Sequence, residues 1–230
     1  MSETLTLKAA DGLESPCHLA RPAGPARAAV VVLQEIFGVN SHIRSVADDF
    51  ARQGYLALAP HLFQRVRSGV ELGYGPADIQ QGIALKSAAE SLPAPGVLAE
   101  VAAALAYAAA QGAAKVGVVG YCWGGLLTWR SACLLPGIAA AVPYYGGGMT
   151  SALESARQPR CPVLCHFGER DHAIPIEGVR AFAKAHPDVE VQVYAAEHGF
   201  HCDQRASYHA ASAALARQRT LDFLARHLVA

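Results

Sequence analysis

The chain has 230 residues, 52% of them hydrophobic, and balances 19 Lys+Arg against 19 Asp+Glu. That length supports one large buried core, and a net charge of zero excludes the basic excess that nucleic acid or an anionic membrane surface would demand. No apolar run approaches the ~20 residues of a membrane span, and the opening Met1-Ser-Glu-Thr-Leu-Thr lacks the basic-then-apolar order of a signal peptide. The expectation is therefore a single domain, residues 1–230, in the cytoplasm. Six cysteines (Cys17, Cys122, Cys133, Cys161, Cys165, Cys202) at irregular spacing read as reduced thiols rather than a disulfide framework.

In chain order, Leu5–Lys8 and Cys17–Ala20 flank a turn at Asp11-Gly12 and predict a short antiparallel hairpin at a sheet edge. Ala28–Gln34 is nearly continuous apolar sequence, as in a strand buried on both faces. Ser41 stands where a helix cap would, ahead of a helix to about Gln53 with Ile43, Val46 and Phe50 on one face. Tyr55–Ala59 is a strand stopped by Pro60, and residues 61–75 have no clean period and read as an excursion near a site. Helices are expected from Pro76 to Glu90 and from Val97 to Gln111, separated by Pro93 and Pro95. A strand at 115–120 leads into a helix from Trp123. Strands follow at Ile138–Tyr145, Cys161–Phe167 and Glu190–Tyr194, with helices at Ile176–Ala185 and about Ser207–His227.

Strands alternating with helices predict an α/β fold with a mostly parallel central sheet and helices on both faces. In such sheets the chemistry collects at the carboxyl ends of strands. Glu35, Cys122, Tyr144, Asp171 and His198 all fall at or just after expected strand ends. Gly120-x-Cys122-x-Gly124, with a β-branched run before it and a helical pattern after it, has the spacing of a nucleophile elbow with Cys in the usual Ser position. The order Cys122, Asp171, His198 is the nucleophile–acid–His order of the α/β-hydrolase triad. A thiol attacks as thiolate, an imidazole can take its proton, and a carboxylate fixes the imidazole's tautomer. The backbone N–H of Trp123 and that of Ile36 are then the oxyanion donors. On spacing alone His201 competes with His198, and Asp171 can equally be a turn or cap residue. Cys161-x-x-x-Cys165-His166 and His198-x-x-His201 superficially suggest metal ligands, but the first lies on an expected core strand, and no metal is expected.

These residues resemble the dienelactone hydrolase family (carboxymethylenebutenolidases), over nearly the whole chain. The markers are Gln34-Glu35-Ile36-Phe37-Gly38-Val39-Asn40, Gly120-Tyr121-Cys122-Trp123-Gly124-Gly125, Tyr144-Tyr145-Gly146, the run from His166 to Pro175, His198-Gly-Phe200 and the closing Arg219-Thr-Leu-Asp-Phe-Leu224. The resemblance implies an α/β-hydrolase fold and a Cys122–His198–Asp171 triad, with the histidine placed at 198 rather than 201. It implies lactone opening through a thiol ester, with no metal and no cofactor, in a monomer whose partner is a small ester or lactone. It also implies that Glu35 pairs with the resting thiol, whereas read alone Glu35 could be a charge ahead of a helix N-terminus. The family reads a substrate carboxylate with two arginines, and this chain has Gln80-Gln81 and Cys202 in the corresponding places. Arg205, Arg65 and Arg67 are the candidate substitutes, and Tyr144 is a candidate substrate contact or a buried tyrosine. The alternatives are a general esterase or thioesterase without dienelactone activity, and a non-catalytic thiol-based binding or redox-responsive protein on the same scaffold.

Overall fold

In the computed structural model, which describes residues 2–229, the first hairpin forms where the turn signal places it. Strands β1 (Ser2–Lys8) and β2 (Glu14–Ala20) pair antiparallel about a turn in which Gly12 has φ +90°. Both strands start earlier than expected because the pairing continues from Lys8↔Glu14 out to Ser2↔Ala20, past the residues with strand-like composition. The chain divides into two units, Met1–Val116 and Gly117–Ala230.

In the first unit the strand order is β1-β2-β4-β3. Strand β3 (Ala29–Leu33) is parallel to β4 (Leu56–Pro60), and β2 is antiparallel to β4. Every residue of β3 and β4 is buried, as continuous apolar runs require. Pro60 ends β4 from within, opposite Cys17, where a missing N–H breaks no further ladder. Helix α1 (Ser41–Arg52) buries Ile43, Val46 and Phe50 on one face. Its cap is Asn40, not Ser41: the Asn40 Oδ1 accepts from the Ile43 N–H at 3.3 Å, and Ser41 is already helical. Helices α2 (Pro76–Glu90) and α3 (Leu98–Ala110) follow, with Pro76 at the first helical position, where its missing N–H costs nothing.

Residues 61–75 form no helix. They are stitched instead to the turn after β3: the Leu72 N–H donates to the Phe37 carbonyl (2.9 Å), and Gly38 pairs with Glu71. Gly38 has φ +80°, and a Cβ there would stand 2.0 Å from the Val70 carbonyl oxygen, so no side chain fits. Arg65 ion-pairs with Glu100 at 2.7 Å and with Asp11. Burial pushes the Glu100 carboxyl up, against the pull of Arg65.

The second unit holds the parallel series β5-β6-β7-β8: β5 (Val116–Tyr121), β6 (Ala140–Tyr144), β7 (Leu164–Gly168) and β8 (Glu190–Tyr194). Between them run α4 (Trp123–Leu134), the four-residue α5 (Ala152–Ser155) and α6 (Ile176–Ala185). The chain then closes with α7 (Ala210–Leu224), continued as a π-helical turn at Ala225–Val229. Strand β7 starts three residues later than expected, since Pro162 has no N–H to give and Val163 makes only an isolated bridge to Ala141. Helix α7 starts at Ala210, where the His209 Nδ1 accepts the Ser212 N–H at 3.3 Å, rather than at Ser207. Helix α5 escaped the periodicity because it is one turn long. It is fixed by the buried Glu154, whose two carboxylate oxygens take Arg130 and Arg157 at 2.8 Å each. Among the described residues no helix is long and apolar enough to cross a membrane.

Candidate active site

The elbow is built as its glycines require. Cys122 follows β5 and precedes α4 with φ +54° and ψ −116°, a conformation that non-glycine residues rarely adopt. A Cβ on Gly120 would meet the Gly124 carbonyl oxygen at 2.1 Å and Thr128 Oγ1 at 2.4 Å. One on Gly125 would meet the Tyr144 carbonyl oxygen at 2.5 Å. The turn is pinned from both sides, by the Cys122 N–H donating to the Tyr144 carbonyl (3.1 Å) and by the Gly125 N–H donating to the Cys122 carbonyl (2.9 Å). Such strain at a strand–helix junction is characteristic of functional positions. Trp123 opens α4, so its N–H is a helix-end donor at the positive end of the helix dipole.

Asp171 lies in the loop after β7 and is 4% exposed. Its Oδ1 accepts the backbone N–H groups of Ala173 (2.8 Å) and Ile174 (3.1 Å), and its Oδ2 lies 2.7 Å from His198 Nδ1. The carboxylate thus caps its turn with one oxygen and meets the His198 imidazole with the other. His198, in the loop after β8, is also hydrogen-bonded to Cys122. Burial alone would lower the imidazole's pKa, but its interactions with Cys122 and Asp171 outweigh burial and raise it to about 10. His201 is placed differently, half-buried with its ring 5.1 Å from those of Tyr121 and Tyr144. The structure therefore brings together Cys122, His198 and Asp171.

Burial pushes four of the other thiols up: Cys17 and Cys133 to about 12, Cys161 to about 11, and Cys165 further still. A thiol in that state is a packing group rather than a nucleophile.

In the first unit, Glu35 and Ile36 lie on the turn after β3, with Glu35 fully buried. Tyr74 Oη donates to Glu35 Oε2 at 3.2 Å and accepts from Asn40 Nδ2 at 3.1 Å. Glu35 is therefore not a solvated charge at a helix N-terminus. Gly82 of α2 seats against this turn: a Cβ there would fall 2.5 Å from the Ile36 carbonyl oxygen. Gln34 reaches across to accept the Leu62 N–H at 3.0 Å.

The arginine candidates separate by what holds them. Arg65 is committed to Glu100 and Asp11. Arg67 is exposed and donates to the Gln81 amide oxygen at 2.7 Å. The guanidinium of Arg205 packs on the backbone of Gly199, where a Cβ would stand 2.5 Å from its Nη1. Tyr144 is 1% exposed, and its hydroxyl is 2.6 Å from Thr220 Oγ1, which makes it a buried, satisfied tyrosine rather than a surface-facing one.

Sequence reasoning missed a polar chain beneath these loops. Arg219 Nη1 donates to Tyr194 Oη (3.2 Å), Tyr194 Oη meets His166 Nδ1 (2.8 Å), His166 Nε2 meets Thr220 Oγ1 (3.0 Å), and Thr220 continues to Tyr144. Arginine can only donate, so the Tyr194 hydroxyl oxygen accepts from Arg219 at this end of the chain. Burial holds the His166 imidazole neutral, its pKa well below the usual value. With both ring nitrogens occupied by hydroxyls, His166 has no lone pair to offer a metal. Tyr74, Asn40 and Tyr145 were also unanticipated, although an Asn directly before a helix is a cap signal that the sequence does display.

The dienelactone hydrolase family model matches residues 16–228. The carboxymethylenebutenolidase of Pseudomonas putida is 32% identical over 98% of this chain and 97% of its own length. A Synechocystis sp. protein provisionally named as a carboxymethylenebutenolidase is 36% identical, over 83% of this chain and 82% of its own. A crystal structure from Klebsiella pneumoniae, provisionally named a dienelactone hydrolase, superposes with a TM-score of 0.83 at 32% identity and covers 98% of both chains. With its α/β architecture and a match that runs almost end to end, the chain belongs to the dienelactone hydrolase family, of the α/β-hydrolase fold, and is a hydrolase acting on ester bonds.

Proposed function

We propose that the protein opens a lactone, or cleaves a small activated ester, through a thiol ester on Cys122. The observation that carries this reading is the 2.7 Å contact of His198 Nδ1 with Asp171, while the same imidazole hydrogen-bonds Cys122 at its strained elbow. His198 takes the thiol proton as the Cys122 sulfur attacks the acyl carbon, and the carbonyl electrons move onto oxygen, where the Trp123 and Ile36 N–H groups serve as donors. When the tetrahedral intermediate collapses, the imidazolium of His198 protonates the leaving alkoxide. Water, deprotonated by His198, then attacks the thiol ester and releases the acid and the thiol. Asp171 keeps Nδ1 as the protonated nitrogen throughout. Glu35, a buried carboxylate, is the group that tunes the resting thiol. No step calls for a metal or cofactor.

The experiment is hydrolysis of p-nitrophenyl acetate and of cis- and trans-dienelactone by the wild type and by Cys122→Ala. The expected outcome is loss of about 10³-fold or more in the variant. Full retention of turnover on every active substrate would remove Cys122 as nucleophile. A second reading, an esterase or thioesterase that does not act on dienelactone, is favoured by the arginine inventory, since Arg65 is tied up by two carboxylates and Gln81 replaces the expected guanidinium. Turnover of dienelactone against its neutral methyl ester separates the two, and a strong preference for the charged form would eliminate the second.

A further inference from the structure

Tyr145, immediately after β6, has φ +36°. Apart from Cys122 it is the only non-glycine among the described residues with positive φ, and for a bulky aromatic residue that conformation is a genuine outlier. Strain of this kind persists only where the surroundings over-determine it. Here they do. The Tyr145 N–H donates to the His166 carbonyl at 2.7 Å, and the preceding carbonyl, that of Tyr144, accepts the Cys122 N–H. Tyr144 itself is moored through Thr220 to the buried chain that runs to Arg219. The strained backbone delivers the Tyr145 ring to one place: edge-to-face against the His198 imidazole, centroids 5.1 Å apart at 62°. The ring is backed by Phe200 at 5.4 Å and 69°.

We propose that Tyr145 is a positioning residue for the proposed base, its ring fixing the His198 imidazole in the orientation that serves Asp171 and Cys122 together. This rests on the reading of His198 as the base for Cys122. The hydrogen bonds to Asp171 and Cys122 still leave the imidazole able to rock about the line joining its two partners, and a rigid aromatic surface beside the ring removes that freedom. Aromatic pairs of this geometry contribute beyond the area they bury. The same strand end holds the elbow through the Tyr144 carbonyl, so one segment sets both the nucleophile's backbone and the base's ring.

The groups facing His198 are Cys122 at the elbow, Asp171 after β7 and Tyr145 after β6. If the imidazole is no longer held, it spends less time against the two partners that raise its pKa. The titration midpoint of His198 then falls from about 10 toward the ordinary histidine value.

The test compares Tyr145→Phe with Tyr145→Leu in the full chain. His198 is titrated by NMR, assigned with His198→Gln, alongside kcat, KM and thermal midpoint. In Tyr145→Leu the His198 midpoint should drop by about one unit, and kcat should fall about 10- to 30-fold with KM within twofold. Tyr145→Phe should keep kcat and KM within twofold and the His198 midpoint within about 0.3 unit. An unchanged His198 midpoint in a folded leucine variant overturns the proposal, as does an equal loss in the phenylalanine variant, which would transfer the role to the hydroxyl. If the leucine variant does not fold, Tyr145→Trp retains a ring of altered shape, and an unaltered midpoint and kcat there likewise overturn it. The titration does not depend on turnover. Failure of the nucleophile reading would therefore appear separately, as hydrolysis surviving in Cys122→Ala.

Discussion

Asp171 and Glu35 are both buried carboxylates just past a strand end, and they are held in opposite ways. Asp171 is gripped by two backbone N–H groups on one oxygen and an imidazole on the other. Backbone amides cannot rotate away, so this carboxylate is fixed in place and its negative charge is matched by an imidazole able to carry a positive one. Glu35 is held by the phenol of Tyr74, a neutral donor on a side chain that rides on the excursion at 61–75. The first arrangement suits a group whose job is to orient. The second ties the carboxylate to a side chain of the 61–75 excursion, whose phenol also binds Asn40.

The sharpest way to break this contrast is Asp171→Asn. The amide keeps the shape but would present an N–H or a neutral oxygen to His198, and kcat should fall by about 10³- to 10⁴-fold. The alkaline limit of activity should also move down from about 10, since Asp171 is one of the groups holding the imidazole's pKa up. A pH–rate profile reads both effects. Glu35→Gln should cost far less, about tenfold at neutral pH, the equivalent of one pKa unit at the thiol. It should change the pH dependence of Cys122 alkylation by iodoacetamide, and an alkylation profile that superposes on the wild type would strip Glu35 of its tuning role. Tyr74→Phe is smaller again. It removes the two hydrogen bonds of the phenol, to Glu35 and from Asn40, about 2 kcal/mol of stability by thermal unfolding, with kcat within about threefold. Equal damage from Tyr74→Phe and Asp171→Asn would erase the distinction between the two carboxylates.

Local signals carried most of this molecule. The all-apolar runs at β3 and β4, the Ile43–Val46–Phe50 stripe and the Gly120–Cys122 spacing each encode their own structure within a few residues, and each forms where expected. The departures have equally local causes: Asn40 outcompetes Ser41 as a cap because its amide reaches both Ile43 and Tyr74, and Pro162 delays β7. Chain order made a contact between Asp171 and a histidine of the loop after β8 legible, and the family resemblance chose His198 over His201. The chain from Arg219 to Tyr144 was not legible, because its members come from β6, β7, β8 and α7 and each hydrogen bond spans at least 25 residues. No spacing rule joins such residues, and only the pairing of Tyr144 with His166 across parallel strands puts them side by side.

That buried chain has a consequence for the conditions in which the enzyme survives. His166 is held neutral in the folded protein and takes up a proton freely once unfolded, so it favours unfolding as pH drops below about 6.5, the ordinary histidine value, toward its depressed folded one. His198 works on the opposite flank. Its raised pKa contributes stability that is complete below about 6.5 and is lost as pH climbs through about 10. Acid thus loosens the protein through one histidine and alkali through the other. Calorimetry in buffers of different ionisation enthalpy should find unfolding coupled to proton uptake on the acid side and to proton release on the alkaline side. His166→Gln should flatten the first response, and His198→Gln the second.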